Sequence, residues 1–270
     1  MKSLFISLIL VLSVFEASCQ RIVQPANIVN GTLVNATFTG YNSPGPLATK
    51  GLIAYYKLDE SSGTLYDSST NHYDGTPVGT IIYGITGIVG KAVQGADVGV
   101  NKYATTTYNG SSNANWTISF WVNINGAAIA GYDTPLGMSD STGANGWVIN
   151  CQANYLGGGL QLVTTTNSAS TSVTFTDSTF FNSTWQHVAC VVSNGTMFAY
   201  TNGVLSTTAT LTSNVGTSTT ATFVLMHDPG HTAYKQYGFL GYLDEVGYWA
   251  TNLTQTQVQY LAATNSFNSL

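Results

Sequence analysis

Charge is what this 270-residue chain has least of. Asp, Glu, Lys and Arg make up 7% of it, against roughly 25% in an average soluble domain. Arg21 is the only arginine. A surface that tracks nucleic-acid phosphates needs clustered Lys and Arg, so a nucleic-acid partner is excluded. The same scarcity counts against sulfated glycans. Glutamate is nearly missing too, at Glu16, Glu60 and Glu245 only. With Ala and Lys also thin in most windows, little of the chain is suited to helix surfaces. No apolar run of about 20 residues follows the N-terminus, so the body has no membrane span. What is abundant is Thr, Ser and Asn, about a third of the chain, with 12% aromatics. Thr and aromatics favour strands, while Asn, Ser and Gly favour turns. The composition predicts an all-β protein with a neutral, polar surface.

The N-terminus reads as an address. Lys2 precedes an apolar stretch from Leu4 to Phe15, and small residues follow at Ala17, Ser18 and Cys19. A positive start, an apolar stretch of about a dozen residues and a small-residue exit describe a secretory signal peptide, placed at residues 1–19. Residues 20–50 form a polar lead-in that ends in Ser43-Pro-Gly-Pro46, which continues neither strand nor helix. The main domain is then 51–270. In an oxidising compartment Cys151 and Cys190 could pair. Each also sits in an apolar strand-like run, which equally suits buried thiols. Seven Asn-x-Ser/Thr sequons, the first at Asn30 and the last at Asn252, matter only in a host that glycosylates them.

Within the main domain short strands alternate with turns. Trp116 to Ile124, Gly159 to Val163 and Ser172 to Thr176 alternate large apolar with small polar residues, the period of half-buried strands. Asn202-Gly203 between two such runs signals a tight hairpin. One helix is expected near the C-terminus. Thr254 and Gln257 form a capping box there, and Leu253 with Val258 forms a hydrophobic staple. Evenly spaced strands point to a sandwich.

The order of segments carries a resemblance. Gly51-Leu-Ile-Ala-Tyr-Tyr-Lys-Leu-Asp59 is followed by Asp67-Ser-Ser-Thr-Asn-His-Tyr-Asp-Gly75, Gly90-Lys-Ala-Val93 and Trp116-Thr-Ile-Ser-Phe-Trp-Val122. Then come Trp185-Gln-His-Val-Ala189, Tyr200-Thr-Asn-Gly203 and Gly241-Tyr-Leu-Asp-Glu-Val246. In this order they resemble the laminin-G-like jelly-roll domains of the concanavalin A-like lectin and glucanase superfamily. The resemblance implies two antiparallel sheets of six or seven strands each, packed face to face, with one short C-terminal helix. It also implies core positions for Trp116, Trp121 and Trp185.

Glycoside hydrolysis needs two carboxyl groups facing one another across the scissile bond. The superfamily's glucanases place acidic residues at alternate positions of one strand, and no such strand occurs here. Asp59-Glu60 and Asp244-Glu245 are adjacent pairs, which on a strand point to opposite faces. The protein is therefore expected not to be an enzyme. His187 in the Trp185 strand is read as a structural hydrogen-bonding residue. His227-Asp-Pro-Gly-His231 lacks a fourth zinc ligand, and its Pro-Gly indicates a turn.

Asp67, Asn71 and Asp74 set oxygen ligands at near-alternating positions of one turn. They suit either a calcium loop or an Asx-turn network. The resemblance adds Asp244 as a partner and calcium as a structural ion. For ligand binding, rings in Gly-rich loops with a neighbouring amide suit sugar faces and hydroxyls: Tyr132, Asn154, Tyr155, Tyr234 and Tyr237. The expected function is a secreted, non-catalytic carbohydrate-binding or adhesion module for a neutral glycan or glycosylated surface. A structural domain that contacts a protein partner is the alternative, followed by a carbohydrate-active enzyme of the same fold.

Overall fold

A computed structural model describes residues 27–29, 32–34, 51–95, 102–110, 114–124, 133–152, 159–175, 180, 182–211, 221–231 and 238–264. The chain divides into two compact units, Met1–Gly45 and Pro46–Leu270. In the first, β1 (Asn27–Val29) and β2 (Thr32–Val34) pair antiparallel, with Asn27 opposite Val34. The sequence between them is Asn-Gly, the dipeptide that best suits a two-residue hairpin.

The second unit carries fifteen strands in its described residues. In chain order they begin with β3 (Leu52–Tyr56), β4 (Gly75–Val78), β5 (Ile82–Thr86), β6 (Lys91–Gln94) and β7 (Tyr103–Asn109). They continue with β8 (Trp116–Asn123), β9 (Asp133–Ser139), β10 (Gly146–Gln152), β11 (Gly159–Thr166) and β12 (Ala169–Thr174). The last are β13 (Trp185–Ser193), β14 (Thr196–Thr201), β15 (Val204–Thr210), β16 (Thr222–Leu225) and β17 (Tyr242–Trp249), before helix α1 (Gln255–Thr264). They form a seven-stranded sheet, β12-β11-β10-β9-β16-β7-β4, and an eight-stranded sheet, β15-β14-β13-β8-β17-β6-β5, with β3 also on β17. Every pairing is antiparallel. The architecture is the expected all-β sandwich with one short C-terminal helix; the seven-stranded sheet has an expected strand number, and the eight-stranded sheet has one strand more than expected.

Side-chain alternation explains how the sheets stack. In β13, Val188, Cys190 and Val192 enter the core between the sheets, while Ala189 and Val191 face the other way. In β10, Trp147, Ile149 and Cys151 enter the same core. Trp116 of the eight-stranded sheet stacks on Trp147 of the seven-stranded sheet, centroids 5.2 Å apart and planes at 18°. Phe223 and Tyr248 close around this pair. Offset aromatic pairs of this kind add about 0.5–1.5 kcal/mol beyond the area they bury. Cys151 and Cys190 are both buried and free.

The two outer faces differ. Val258 and Leu261 of α1, with Leu253 before it, cover Tyr55, Ala189, Val191, Tyr200 and Trp249 on the outer face of the eight-stranded sheet. The cap forms as the sequence predicts: Thr254 N–H donates to Gln257 Oε1 at 2.8 Å, and Gln257 N–H donates to Thr254 Oγ1 at 3.3 Å. Trp121 and Trp185 depart from the expected core. Successive strand residues alternate faces, so Trp121 lies opposite to Trp116 and Phe120, edge-on to His187 at 5.3 Å. Trp185 is half-buried beside Tyr242. Among the described residues no helix is long and apolar enough to cross a membrane.

Candidate functional site

The outer face of the seven-stranded sheet holds a groove of about 460 Å³ over β9–β12, a size typical of ligand sites. Its floor consists of the residues that alternate with the core set. Gly146 stands between Ser139 and Thr165, and Thr165 faces Ser170. One rung along, Val148 stands between Gly137 and Val163, and Val163 faces Ser172. Asn150 occupies the next rung, opposite Gln161, and its Oδ1 accepts from Thr134 Oγ1 at 2.9 Å.

Three turns build one end of the groove. In the β9–β10 turn, Asp140 Oδ1 accepts from Thr142 N–H, Thr142 Oγ1 and Ala144 N–H, and Oδ2 accepts from Asn145 Nδ2 at 2.9 Å. Burial pushes the Asp140 carboxyl up, but these donors outweigh it and hold the group below its ordinary value. The β11–β12 turn is tied to the first: Asn167 N–H donates to Asn145 Oδ1 at 2.9 Å and Ser168 N–H to Ala144 O at 3.0 Å. The third is a 3₁₀ turn at Pro229–His231. It fits because glycines meet it: a Cβ on Gly137 would lie 2.6 Å from Pro229, and one on Gly230 would lie 2.6 Å from Gly143. Within it Asp228 Oδ1 accepts from Gly230 N–H at 2.8 Å, and Oδ2 lies 2.8 Å from His231 Nδ1.

The groove is a hydroxyl-rich surface. Ser139, Thr142, Thr165, Ser168, Ser170 and Asn150 supply short donors and acceptors, Val148 and Val163 supply an apolar strip, and among the described residues Asp228 is the one carboxylate in the lining. Among the described residues no Lys or Arg lines it.

Tyr132, Asn154, Tyr155, Tyr234 and Tyr237 lie outside the described residues. Asp67, Asn71 and Asp74 share one loop, and that loop closes on itself. Asp67 Oδ1 accepts from Tyr55 N–H and Ser69 N–H, both at 2.8 Å, and Oδ2 accepts from Ser69 Oγ and Tyr73 N–H. Asp74 Oδ1 accepts from Asp67 N–H, and Asn71 Nδ2 donates to Ile53 O. Asp244 belongs to a different set, accepting at Oδ2 from Ile88 and Val89 N–H at 2.7 and 3.1 Å. Burial pushes its carboxyl up to about 8, with the charges of Glu245 and Asp59 adding and the two N–H donors opposing. A calcium cage needs six to eight oxygens turned toward one point. Both Asp67 oxygens and Asp74 Oδ1 instead face protein N–H and O–H groups, and Asp244 is held apart by Ile88 and Val89, so the four residues do not fit the ion as a set. Among the described residues no three His, Cys, Asp or Glu side chains converge on a metal position.

His187 is buried, and its Nε2 lies 2.8 Å from Ser119 Oγ. Burial lowers the imidazole's pKa to about 3 and keeps it neutral. The Ser, Thr and Val residues of the groove went unnoticed in sequence because each is an ordinary strand or turn residue, whereas Asp228 and His231 stood out only as an incomplete zinc motif. The signal available was the period-two alternation of β10, β11 and β12, whose outward positions are small and uncharged.

A model of the concanavalin A-like lectin/glucanases superfamily, of laminin G type, matches residues 98–259, more than half of the chain. The chain belongs to this superfamily. Curated protein sequences give no match. Among solved structures, domain 4 of the GH43 extracellular arabinanase AbnA from Geobacillus stearothermophilus, in complex with arabinotriose, is 26% identical with a TM-score of 0.61. That alignment covers 78% of this chain and 98% of the domain. The binding domain of Paraclostridial Mosquitocidal Protein 1 is 14% identical with a TM-score of 0.64, over 80% of this chain and 52% of that one. A structure of botulinum neurotoxin type C, whose cell entry depends on interaction with two ganglioside molecules, is 16% identical with a TM-score of 0.60, over 79% and 51%. The chain spans about half the length of these toxin chains, and at such identity they show the fold alone.

Proposed function

We propose that this chain is a secreted, non-catalytic carbohydrate-binding module that holds a neutral oligosaccharide in the β9–β12 groove. The observation that carries the reading is the lining: among the described residues, short hydroxyl and amide groups beside an apolar strip, with one carboxylate and no Lys or Arg. Such a surface offers paired donors and acceptors to sugar hydroxyls and no Lys or Arg to pair with an anionic group. The arabinotriose complex of the 26% identical domain supports a sugar ligand. A glycosidase needs a second carboxyl facing the first, and among the described residues Asp228 has no carboxylate opposite it in the lining. The apolar stretch from Leu4 to Phe15 supports secretion. In this role the module would dock its carrier on a glycan or glycosylated surface.

The test is calorimetric titration with a panel of neutral oligosaccharides, arabinotriose and cellotriose among them, on the native chain and on Val148→Trp. Val148 is half-buried at the centre of the groove floor, so an indole there fills the groove without entering the core. Binding by the native chain that disappears in Val148→Trp is the expected result. Binding that Val148→Trp leaves intact overturns the groove as the site.

A further inference from the structure

Resting on that groove reading, we infer that Asp228, held in place by His231, anchors the ligand and selects uncharged sugars over anionic ones. The Asp228 side chain is 8% exposed and that of His231 38%. Both line the groove. Each Asp228 oxygen accepts one bond, from Gly230 N–H at Oδ1 and from His231 at Oδ2. An ionised carboxylate offers about four lone-pair sites, so this groove-lining carboxylate retains acceptor capacity beyond its two bonds.

Apart from His231, the other described residues of the lining carry no ionisable side chain. A sugar hydroxyl that donates to Asp228 makes a charge-assisted hydrogen bond, the strongest contact available in this groove. A uronate or sulfate in its place sets acceptor against acceptor and negative against negative, and among the described residues of the lining no Lys or Arg compensates. The fixed geometry matters as much as the charge. Pro229 seats against Gly137 and Gly230 against Gly143, and the bonds to Gly230 and His231 fix the carboxylate's plane. His231 acts through Asp228 and is a positioning residue.

The same segment was the sequence's weak zinc motif. The structure divides its two histidines. His227 is fully buried, with its ring 4.9 Å from Tyr103 and its Nδ1 at the Asp228 carbonyl oxygen, 2.9 Å away. His231 stands at the surface on the Asp228 carboxylate.

The test is titration of arabinotriose, cellotriose and trigalacturonate into the native chain, Asp228→Asn, His231→Gln and Val148→Trp. The native chain is expected to bind a neutral trisaccharide and to reject trigalacturonate. Asp228→Asn is expected to lower neutral affinity about 10- to 100-fold, the range of a hydrogen bond to a charged group. It should also narrow the preference for neutral over anionic ligand by about tenfold or more. His231→Gln, whose amide can still donate to Asp228, should lose less affinity and keep the preference. If Asp228→Asn leaves both affinity and preference unchanged while Val148→Trp abolishes binding, the groove reading stands and this inference falls. If Val148→Trp leaves binding intact, both fall. A native chain that binds trigalacturonate as tightly as the neutral ligands also overturns the inference. Should Asp228→Asn lose its cooperative melt, Asp228→Glu carries the test. The longer side chain keeps the charge and shifts the carboxylate, so neutral affinity should fall while trigalacturonate stays excluded; unchanged affinity for the neutral ligand overturns the inference.

Discussion

His187 gives this fold an acid sensitivity that can be worked out in advance. Its ring is buried in strand β13, hydrogen-bonded to Ser119, and its folded pKa is lowered to about 3 by burial. In the unfolded chain a histidine titrates near ~6.5. Between these values the unfolded chain binds the proton and the folded chain does not, so stability falls as pH falls. The contribution is fully present above ~6.5 and shrinks by about 1.4 kcal/mol per pH unit below it. At pH 4.5 the loss is about 2.7 kcal/mol.

Asp244 works in the opposite direction. Its folded pKa is raised to about 8, so its contribution is present below the unfolded value of ~3.9 and is lost as pH rises toward 8. Between pH ~4 and ~6.5 the two slopes oppose each other, and the native chain alone would look nearly indifferent to pH. The informative perturbation is therefore a difference. His187→Gln keeps a hydrogen-bonding group toward Ser119 and removes the titration. Urea denaturation of both proteins at pH 8 and pH 4.5 should show the native chain losing about 2.7 kcal/mol more than the variant. Losses that agree within about 0.5 kcal/mol would refute the reasoning.

Three further outcomes follow from the packing and the loops. Trp147→Ala removes one of the two rings stacked across the sandwich and should cost about 3–5 kcal/mol in urea denaturation. Asp140→Asn should lower stability at neutral pH, because the ionised carboxylate gathers four donors in the β9–β10 turn. The depressed pKa means that this advantage is present above the unfolded value of ~3.9 and fades as pH falls through the folded one, so the native and variant melting curves should converge in acid. Because protein N–H and O–H groups already satisfy the Asp67 carboxylate, millimolar calcium and EDTA should give the same melting temperature. A calcium-dependent rise of about 4 °C or more, the equivalent of roughly 1–2 kcal/mol in a domain of this size, would restore the ion.

What could be read from the sequence was whatever is local. Alternation placed the strands, Asn202-Gly203 placed a hairpin with both residues at positive φ, 50° and 78°, and Thr254 with Gln257 placed the helix start. The order of weak motifs placed the superfamily. The groove was not legible, because Ser139, Val148, Val163 and Ser172 become neighbours only through cross-strand register, and none is unusual alone. The Asp67 loop could be read as turn or as cation site from its spacing, and only the direction of its N–H groups separates the two. Trp121 looked like core because its strand is buried on both faces, where parity rather than hydrophobicity decides which interior a ring enters. The five loop residues chosen for ligand contact lie outside the described residues, so the groove reading rests on other side chains.

The period-two backbone under the groove separates two kinds of heritable change. Val148, Val163, Thr165, Ser170 and Ser172 point outward from strands whose other residues, Trp147, Ile149, Leu162 and Val173, hold the core. Substitution on the outward rungs can retune recognition while leaving the sandwich's stability nearly untouched. Such a face could diversify quickly in evolution, and in the laboratory the same rungs form a scaffold on which a combinatorial library of binding specificities could be displayed.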